Sequence, residues 1–247
     1  MPSLREILLL PISKLFSGNN RIDDIAYGSE PLMTYDEYPS NNKTAPLVIY
    51  WYGGSWKNGS KNNYRFIGHK LRSMGAHVFI VDYPKYPKRV FPGFTEDALA
   101  AVNHIKNRYP DRKVVLMGHS AGANTAMLLG LRQKAVADKV VSVAGVCTLS
   151  NRVWHPVFGD AIKKGLHDPR NYTSNSNKTT EFLLFHGRAD PIVLARDSIS
   201  LQEKLISSGH KSQLILVRFA GHGSMLMLLI IGPLFKSRRR LKHFIFS

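Results

Sequence analysis

The sequence predicts an α/β fold: a mixed, mostly parallel sheet with helices on both faces. Three observations carry that expectation. Residues 47–52 form an unbroken apolar run, Leu-Val-Ile-Tyr-Trp-Tyr, as expected of a strand buried on both faces in the middle of a parallel sheet. Strand and helix patterns then alternate along the chain, which packs helices against both faces of the sheet. Residues 114–123 place an apolar β-rich run, the turn Gly118-His119-Ser120-Ala121-Gly122 and a helix-forming stretch in direct succession.

With 247 residues and 44% hydrophobic content the chain can build one large core, so a single domain over residues 1–247 is expected and disorder is excluded. Residues 4–16 are apolar but short, carry Arg5, Glu6 and Lys14, and are broken by Pro11. They lack the small-residue cleavage site of a signal peptide. They read as a short amphipathic helix on the body or, alternatively, on a membrane surface. Two short strands, 22–27 and 32–38, are joined through Gly28-Ser29-Glu30-Pro31, a loop short enough to make them antiparallel. After the strand at 47–52 come a helix over 62–74 ended by Gly75, a strand over 77–82 and a helix over 95–109. Thr95 is that helix's candidate N-cap, Glu96 and Asp97 lie in its first turn, and Pro110 stops it. The central strand, turn and helix follow. Further strands are expected over 140–146, 181–185 and 213–219. A helix from about 194 to 208 ends at Gly209, and 225–235 would form the last long helix. Residues 150–180 break this rhythm, being long, polar and without a period. A loop of that length in a compact domain is usually a lid or binding loop. A cap-like insertion is therefore expected there, partly helical at 160–165.

The formal net charge is +17. Such a charge can draw a protein to nucleic acid, anionic membranes or acidic substrates. No nucleic-acid-binding signature accompanies it and the basic residues are scattered, so a nucleic-acid partner is not expected. The run Lys236-Ser237-Arg238-Arg239-Arg240 reads as a solvated helix face. A weak membrane-surface contact through the basic surface or residues 4–16 is the alternative. No stretch reaches the length of a membrane span, and a cytoplasmic location is expected. The one cysteine, Cys147, excludes an intramolecular disulfide and reads as a small buried residue rather than a thiol nucleophile. No spacing of His, Cys or carboxylates suggests a metal site, and no cofactor is expected.

The chemistry starts at Ser120. Gly118 and Gly122 suit a turn whose backbone passes too close to its neighbours for a Cβ. A bare G-x-S-x-G occurs often by chance, but a strand before it, a helix after it and partners downstream make Ser120 the candidate nucleophile. A serine hydroxyl becomes nucleophilic when an imidazole accepts its proton and a carboxylate orients that imidazole. After a turn of this kind the partners follow in the order acid, then His, on loops after later strands. Of ten histidines, His222 directly follows the strand at 213–219 and has Gly221 and Gly223 beside it. His210 precedes that strand, at the wrong end of the sheet, and His243 lies beyond the last long helix. Asp190, just past the strand at 181–185, is the candidate acid. Asp160 and Asp168 lie in the insertion, and Asp82 reads as structural. Gly53-Gly54-Ser55, after the strand at 47–52, frees backbone N–H groups to face a developing negative charge. The expected donors are Gly54, Ser55 and Ala121. Trp56, His119, Trp154 and Phe158 are the candidates for substrate contacts.

With these residues in hand, the chain resembles the α/β-hydrolases, specifically the carboxylesterase/lipase group related to hormone-sensitive lipase and kynurenine formamidase. Ala26-Tyr27-Gly28, Tyr52-Gly53-Gly54-Ser55-Trp56 with Gly59, Asp82-Tyr83-Pro84, Gly118 to Gly122, His186-Gly187 with Asp190, and Gly221-His222 fall in family order over roughly residues 20–246. The resemblance implies an α/β-hydrolase fold with a mostly parallel eight-stranded sheet, antiparallel N-terminal strands and a small cap. It implies a serine carboxylesterase acting on small-molecule, short-acyl esters through an acyl-enzyme on Ser120. The alternatives are an arylformamidase or other amidase on the same triad, and a catalytically silent binding protein. The sequence departs from the pattern twice. Tyr52 stands where the family usually has a His that mainly braces the loop, and Pro84 stands where many relatives have Arg.

Overall fold

The computed structural model describes residues 20–230 and 232–247, so the amphipathic stretch expected at 4–16 lies outside it. Its strands are β1 (Ile22–Ala26), β2 (Thr34–Tyr38), β3 (Leu47–Trp51), β4 (His77–Val81), β5 (Val114–His119), β6 (Lys139–Val143), β7 (Glu181–Gly187) and β8 (Ser212–Val217). They form one sheet in the order β1-β2-β4-β3-β5-β6-β7-β8. β1 pairs antiparallel with β2, β2 antiparallel with β4, and every other pair is parallel. Every residue of β3, β4, β5 and β6 is buried, whereas the edge strands β1 and β8 keep exposed positions. Continuous apolar runs thus mark strands covered on both faces.

β3 lies between β4 and β5, with Trp51 beside Gly118 at their C-terminal ends. The chain winds from β3 to β4 in one direction and then crosses to β5 in the other. The crevice at such a reversal, outside the carboxyl ends of the strands, is where open α/β sheets hold ligands.

The helices are α1 (Arg65–Ser73), α2 (Gly93–Arg108), α3 (Ala121–Arg132), α4 (Asn151–Phe158), α5 (Arg196–Ser207), α6 (His222–Ile230) and α7 (Phe235–Phe246). Four details differ from the sequence expectation. α2 starts two residues early at Gly93 with Pro92 as its N-cap, so Thr95 lies inside the helix and caps nothing. Asp97 is instead gripped by both ends of the Arg89 guanidinium at 2.6 Å. The strand expected over 140–146 stops at Val143, where Ala144 turns the chain with φ 48°. The expected last helix is two helices, because Pro233 lacks the N–H that a continuous helix needs. α7 folds back, Arg238 Nε donating to the Leu229 carbonyl of α6 at 3.1 Å, and carries both the basic run and His243.

The fourth difference concerns residues 150–180. Their helix is α4, not 160–165, and it is followed by short 3₁₀ turns at Gly159–Ala161 and Pro169–Tyr172. The Phe91 N–H donates to the Val157 carbonyl at 2.9 Å, and the Asn124 amide of α3 donates to the carbonyls of Val146 and His167 at 2.9 and 2.8 Å. These bonds tie the segment down over the C-terminal end of β6. Among the described residues no helix is long and apolar enough to cross a membrane.

Candidate active site

β5 delivers its chain into Ser120 at φ 55° and ψ −118°, and α3 begins at the next residue. That backbone conformation is unfavourable for a residue with a Cβ and persists only where the surroundings enforce it. Here a Cβ on Gly118 would strike the backbone of Gly122 and Ala123, and one on Gly122 would strike the Trp51 carbonyl of β3. Both glycines are therefore needed to bring β3, β5 and α3 this close. The Ser120 N–H donates to Val143 O at 3.0 Å, which fixes the turn against β6.

The Ser120 hydroxyl lies 2.8 Å from His222 Nε2, and His222 Nδ1 lies 2.7 Å from Asp190 Oδ2. All three residues are buried. This geometry suits an Nδ1–H donated to the carboxylate, leaving Nε2 to accept the serine proton. The second carboxylate oxygen accepts the N–H groups of Ile192 and Val193 at 2.9 and 3.0 Å. Burial pushes the Asp190 carboxyl up, but His186, His222 and those two N–H groups outweigh it and hold the group far below the usual carboxylate range. His186 steadies the loop as well: its Nδ1 bonds Ser198 Oγ at 2.7 Å and its Nε2 donates to Val193 O at 2.9 Å. The rivals lie elsewhere. His210 is buried on Ser176 and Thr173, His243 is in α7, Asp168 pairs with Arg170, and Asp160 is exposed. Cys147 is buried, and burial followed by the charge of Asp197 pushes its thiol well up, away from the thiolate a nucleophile would need.

The loop after β3 runs through three consecutive positive φ values: Gly54 at 148°, Ser55 at 58° and Trp56 at 55°. A brace that is spread through the sequence holds it. Tyr52 donates its hydroxyl to Asp82 Oδ1, and Lys85 Nζ donates to Tyr52 Oη at 2.9 Å, Asp82 Oδ1 at 3.1 Å and the Tyr83 carbonyl at 3.0 Å. The Tyr52 ring is stacked between Tyr64 and Tyr83, each centroid 5.1 Å away. Tyr52 is thus a structural residue with its own acid and cation. Lys85 escaped the sequence reading because a lone lysine after Tyr83-Pro84 carries no recognisable signal.

A cavity of about 210 Å³ opens above Ser120. Ser55, Trp56, Ala121 and Trp154 line it, together with Val146, Thr148, Leu149, the 192–194 segment, Arg196 and Asp197. Three of the candidate residues are not in the wall of this cavity. Gly54 lies outside its lining, with its carbonyl accepting the N–H groups of Lys57 and Asn58, which leaves its own N–H as a candidate donor. His119 sits behind His222, its ring 4.9 Å away and its Nε2 donating to the His222 carbonyl at 3.1 Å. Phe158 is buried beneath Trp56, 4.9 Å between centroids, and packs with Phe91 and Phe94. Pattern alone cannot separate a pocket aromatic from one a single layer deeper. Ala121 is the first residue of α3, whose N–H has no acceptor within the helix.

Residues 36–150 match the BD-FAE family model. The chain is 33% identical over 138 residues to the versiconal hemiacetal acetate esterase of Aspergillus parasiticus, covering 54% of this chain and 42% of that protein. It is 29% identical over 173 residues to the kynurenine formamidase of Meyerozyma guilliermondii, covering 68% and 64%. It thus spans only about half the length of the curated relatives it matches. Among solved structures, a truncated carbohydrate esterase from gut microbiota superimposes with a TM-score of 0.79 at 18% identity, over 92% of this chain and 97% of that one.

Proposed function

As an α/β-hydrolase of the esterase group, the chain is, we propose, a serine carboxylesterase that cleaves short-acyl esters through an acyl-enzyme on Ser120. The observation that carries this reading is the unbroken hydrogen-bond chain Asp190–His222–Ser120 ending in a small cavity. Ser120 Oγ attacks the ester carbonyl carbon while its proton passes to His222 Nε2. Asp190, ionised and held by the His222 ring and the N–H groups of Ile192 and Val193, stabilises the imidazolium that forms. Ser55 and Ala121 line the cavity beside Ser120, and their N–H groups are the proposed donors to the oxyanion. The imidazolium then returns its proton to the alkoxide as the C–O bond breaks and the alcohol leaves. Water gives a proton to His222 and attacks the acyl carbon, and Ser120 departs reprotonated as the acid is released. Kynurenine formamidase among the relatives keeps an amidase, with an amine leaving group, as the second reading.

A fluorophosphonate probe should form one covalent adduct, on the peptide containing Ser120, and p-nitrophenyl acetate to butyrate should turn over faster than octanoate. An adduct on another serine, or none, sinks the assignment. Faster cleavage of N-formylkynurenine than of any ester would move it to an amidase. The cavity wall supplies a further check. Trp154→Ala should extend the accepted acyl length at nearly constant Tm. Phe158→Ala should cost about 3–5 kcal/mol of stability with the acyl preference kept.

A further inference from the structure

The cavity above Ser120 is lined by one basic and one acidic residue, Arg196 and Asp197, neighbours at the start of α5. The acid is spent inside the fold. Asp197 Oδ2 accepts the N–H groups of Cys147 and Thr148 at 2.9 and 2.8 Å, and its Oδ1 accepts the Thr148 hydroxyl at 2.8 Å. The cation is not: Arg196 is exposed and makes no ion pair or side-chain hydrogen bond among the described residues. Two other guanidinium groups of the fold are committed, Arg89 to Asp97 and Arg170 to Asp168. The remaining walls, Trp56, Val146, Leu149, Trp154 and Val193, offer apolar surface.

We propose that Arg196 is a specificity-determining residue, and that the site selects esters carrying a carboxylate a few bonds from the scissile carbonyl. The proposal rests on the reading of Ser120 as nucleophile. A guanidinium presents a planar fork that matches a carboxylate with two parallel hydrogen bonds. The cavity's small volume keeps the two ends of the substrate close, because Arg196 and Ser120 share one space of about 210 Å³. The net charge of +17 acts in the same direction at long range, raising the encounter rate of anions.

The test compares monomethyl glutarate with its neutral isostere, methyl 4-carbamoylbutanoate, by methanol release. The expected result is a kcat/KM ratio favouring the anion by about tenfold or more at low salt, shrinking as salt rises. Arg196→Gln should lower that ratio about tenfold, Arg196→Lys should restore part of it, and Arg239→Gln, on the distant α7, should leave it unchanged. A wild-type ratio of one or below, or a ratio unmoved by Arg196→Gln, overturns the proposal. If the neutral ester is cleaved and Ser120 is labelled by fluorophosphonate in that case, the esterase reading stands and only the role of Arg196 falls. If neither ester is cleaved and Ser120 is not labelled, both fall. Calorimetry of monomethyl glutarate on Ser120→Ala, with and without Arg196→Gln, reads the anion preference without turnover. Equal affinity in the two proteins likewise overturns the proposal.

Discussion

Asp190 Oδ2 lies 2.7 Å from His222 Nδ1, and Glu37 Oε1 lies 2.8 Å from His77 Nε2. Both pairs are buried, and they stand at opposite ends of the sheet, His222 after the last strand and His77 at the first residue of β4. What separates them is the other ring nitrogen. His222 Nε2 meets the Ser120 hydroxyl at the floor of a cavity. His77 Nδ1 is taken by the Arg112 guanidinium at 2.9 Å, and the Glu37 carboxylate is shared further with Arg108 at 2.8 Å and Tyr109. A carboxylate–imidazole pair is therefore not a relay by itself. It becomes one where the far nitrogen faces a transferable proton and open space, and scaffold where a fixed cation closes it off.

Mutation of each pair should break the comparison in opposite ways. Ser120→Ala, His222→Ala and Asp190→Asn should each lower turnover by about 10⁴–10⁶, with the double variant Ser120→Ala/His222→Ala barely worse than either single one. Folded protein should remain abundant in all of them. His77→Gln should do the reverse, lowering Tm while kcat per folded molecule stays near wild type. Comparable loss of kcat in His77→Gln would erase the distinction drawn here.

The two pairs also differ in how far the sequence reveals them. Ser120, Asp190 and His222 lie directly after strands whose apolar runs are unmistakable, so the order of elements brings their loops to one sheet end. The eight strands, their antiparallel start and the alternation with helices were legible for the same reason: burial on both faces leaves few polar residues within a strand. Glu37 and His77 lie within strands, where the partner of a polar residue is not visible in one dimension. Arg108, Tyr109 and Arg112 reach them only because α2 ends over β2 and β4. Arg196 and Lys85 were hidden likewise, since a side chain's role there depends on which loop passes beside it. Boundaries slipped where local chemistry outweighed periodicity, as at Pro92, Ala144 and Pro233.

The scaffold pair should show itself in the pH dependence of stability. Burial raises the Glu37 pKa, but hydrogen bonds from His77 and Tyr109 and the charge of Arg108 outweigh it and hold it down at about 2, against 4.5 ordinarily. A carboxyl held lower in the fold than in the unfolded chain stabilises the protein above the unfolded value. That stabilisation is lost as pH falls from about 4.5 toward about 2. At neutral pH it is worth about 3 kcal/mol. In urea titrations Glu37→Gln should therefore be about that much less stable at pH 7, with the gap narrowing through the acid range. A gap constant with pH would mean that shape, not charge, is what Glu37 provides.

Tyr109→Phe sharpens the same point with a smaller effect. The Tyr109 hydroxyl donates to Glu37 Oε1 at 2.5 Å, while Arg108 and Arg112 stack on its ring at 5.4 and 5.2 Å. Burial and the Glu37 charge push this phenol up to about 12, so it remains a donor through neutral and mildly alkaline pH. Phenylalanine keeps the ring and its two guanidinium neighbours and removes one donor of three from the carboxylate. The cost should be about 1 kcal/mol at pH 7. Because the lost donor favoured the ionised form, the folded-state Glu37 pKa should rise, so the acid loss of stability, still beginning near 4.5, should be smaller and end at a higher pH than in the wild type. Turnover should not change. If Tyr109→Phe instead costs as much as Glu37→Gln, the bonds around Glu37 act as one unit, and His77, Arg108 and Tyr109 cannot be assigned separate shares of the scaffold.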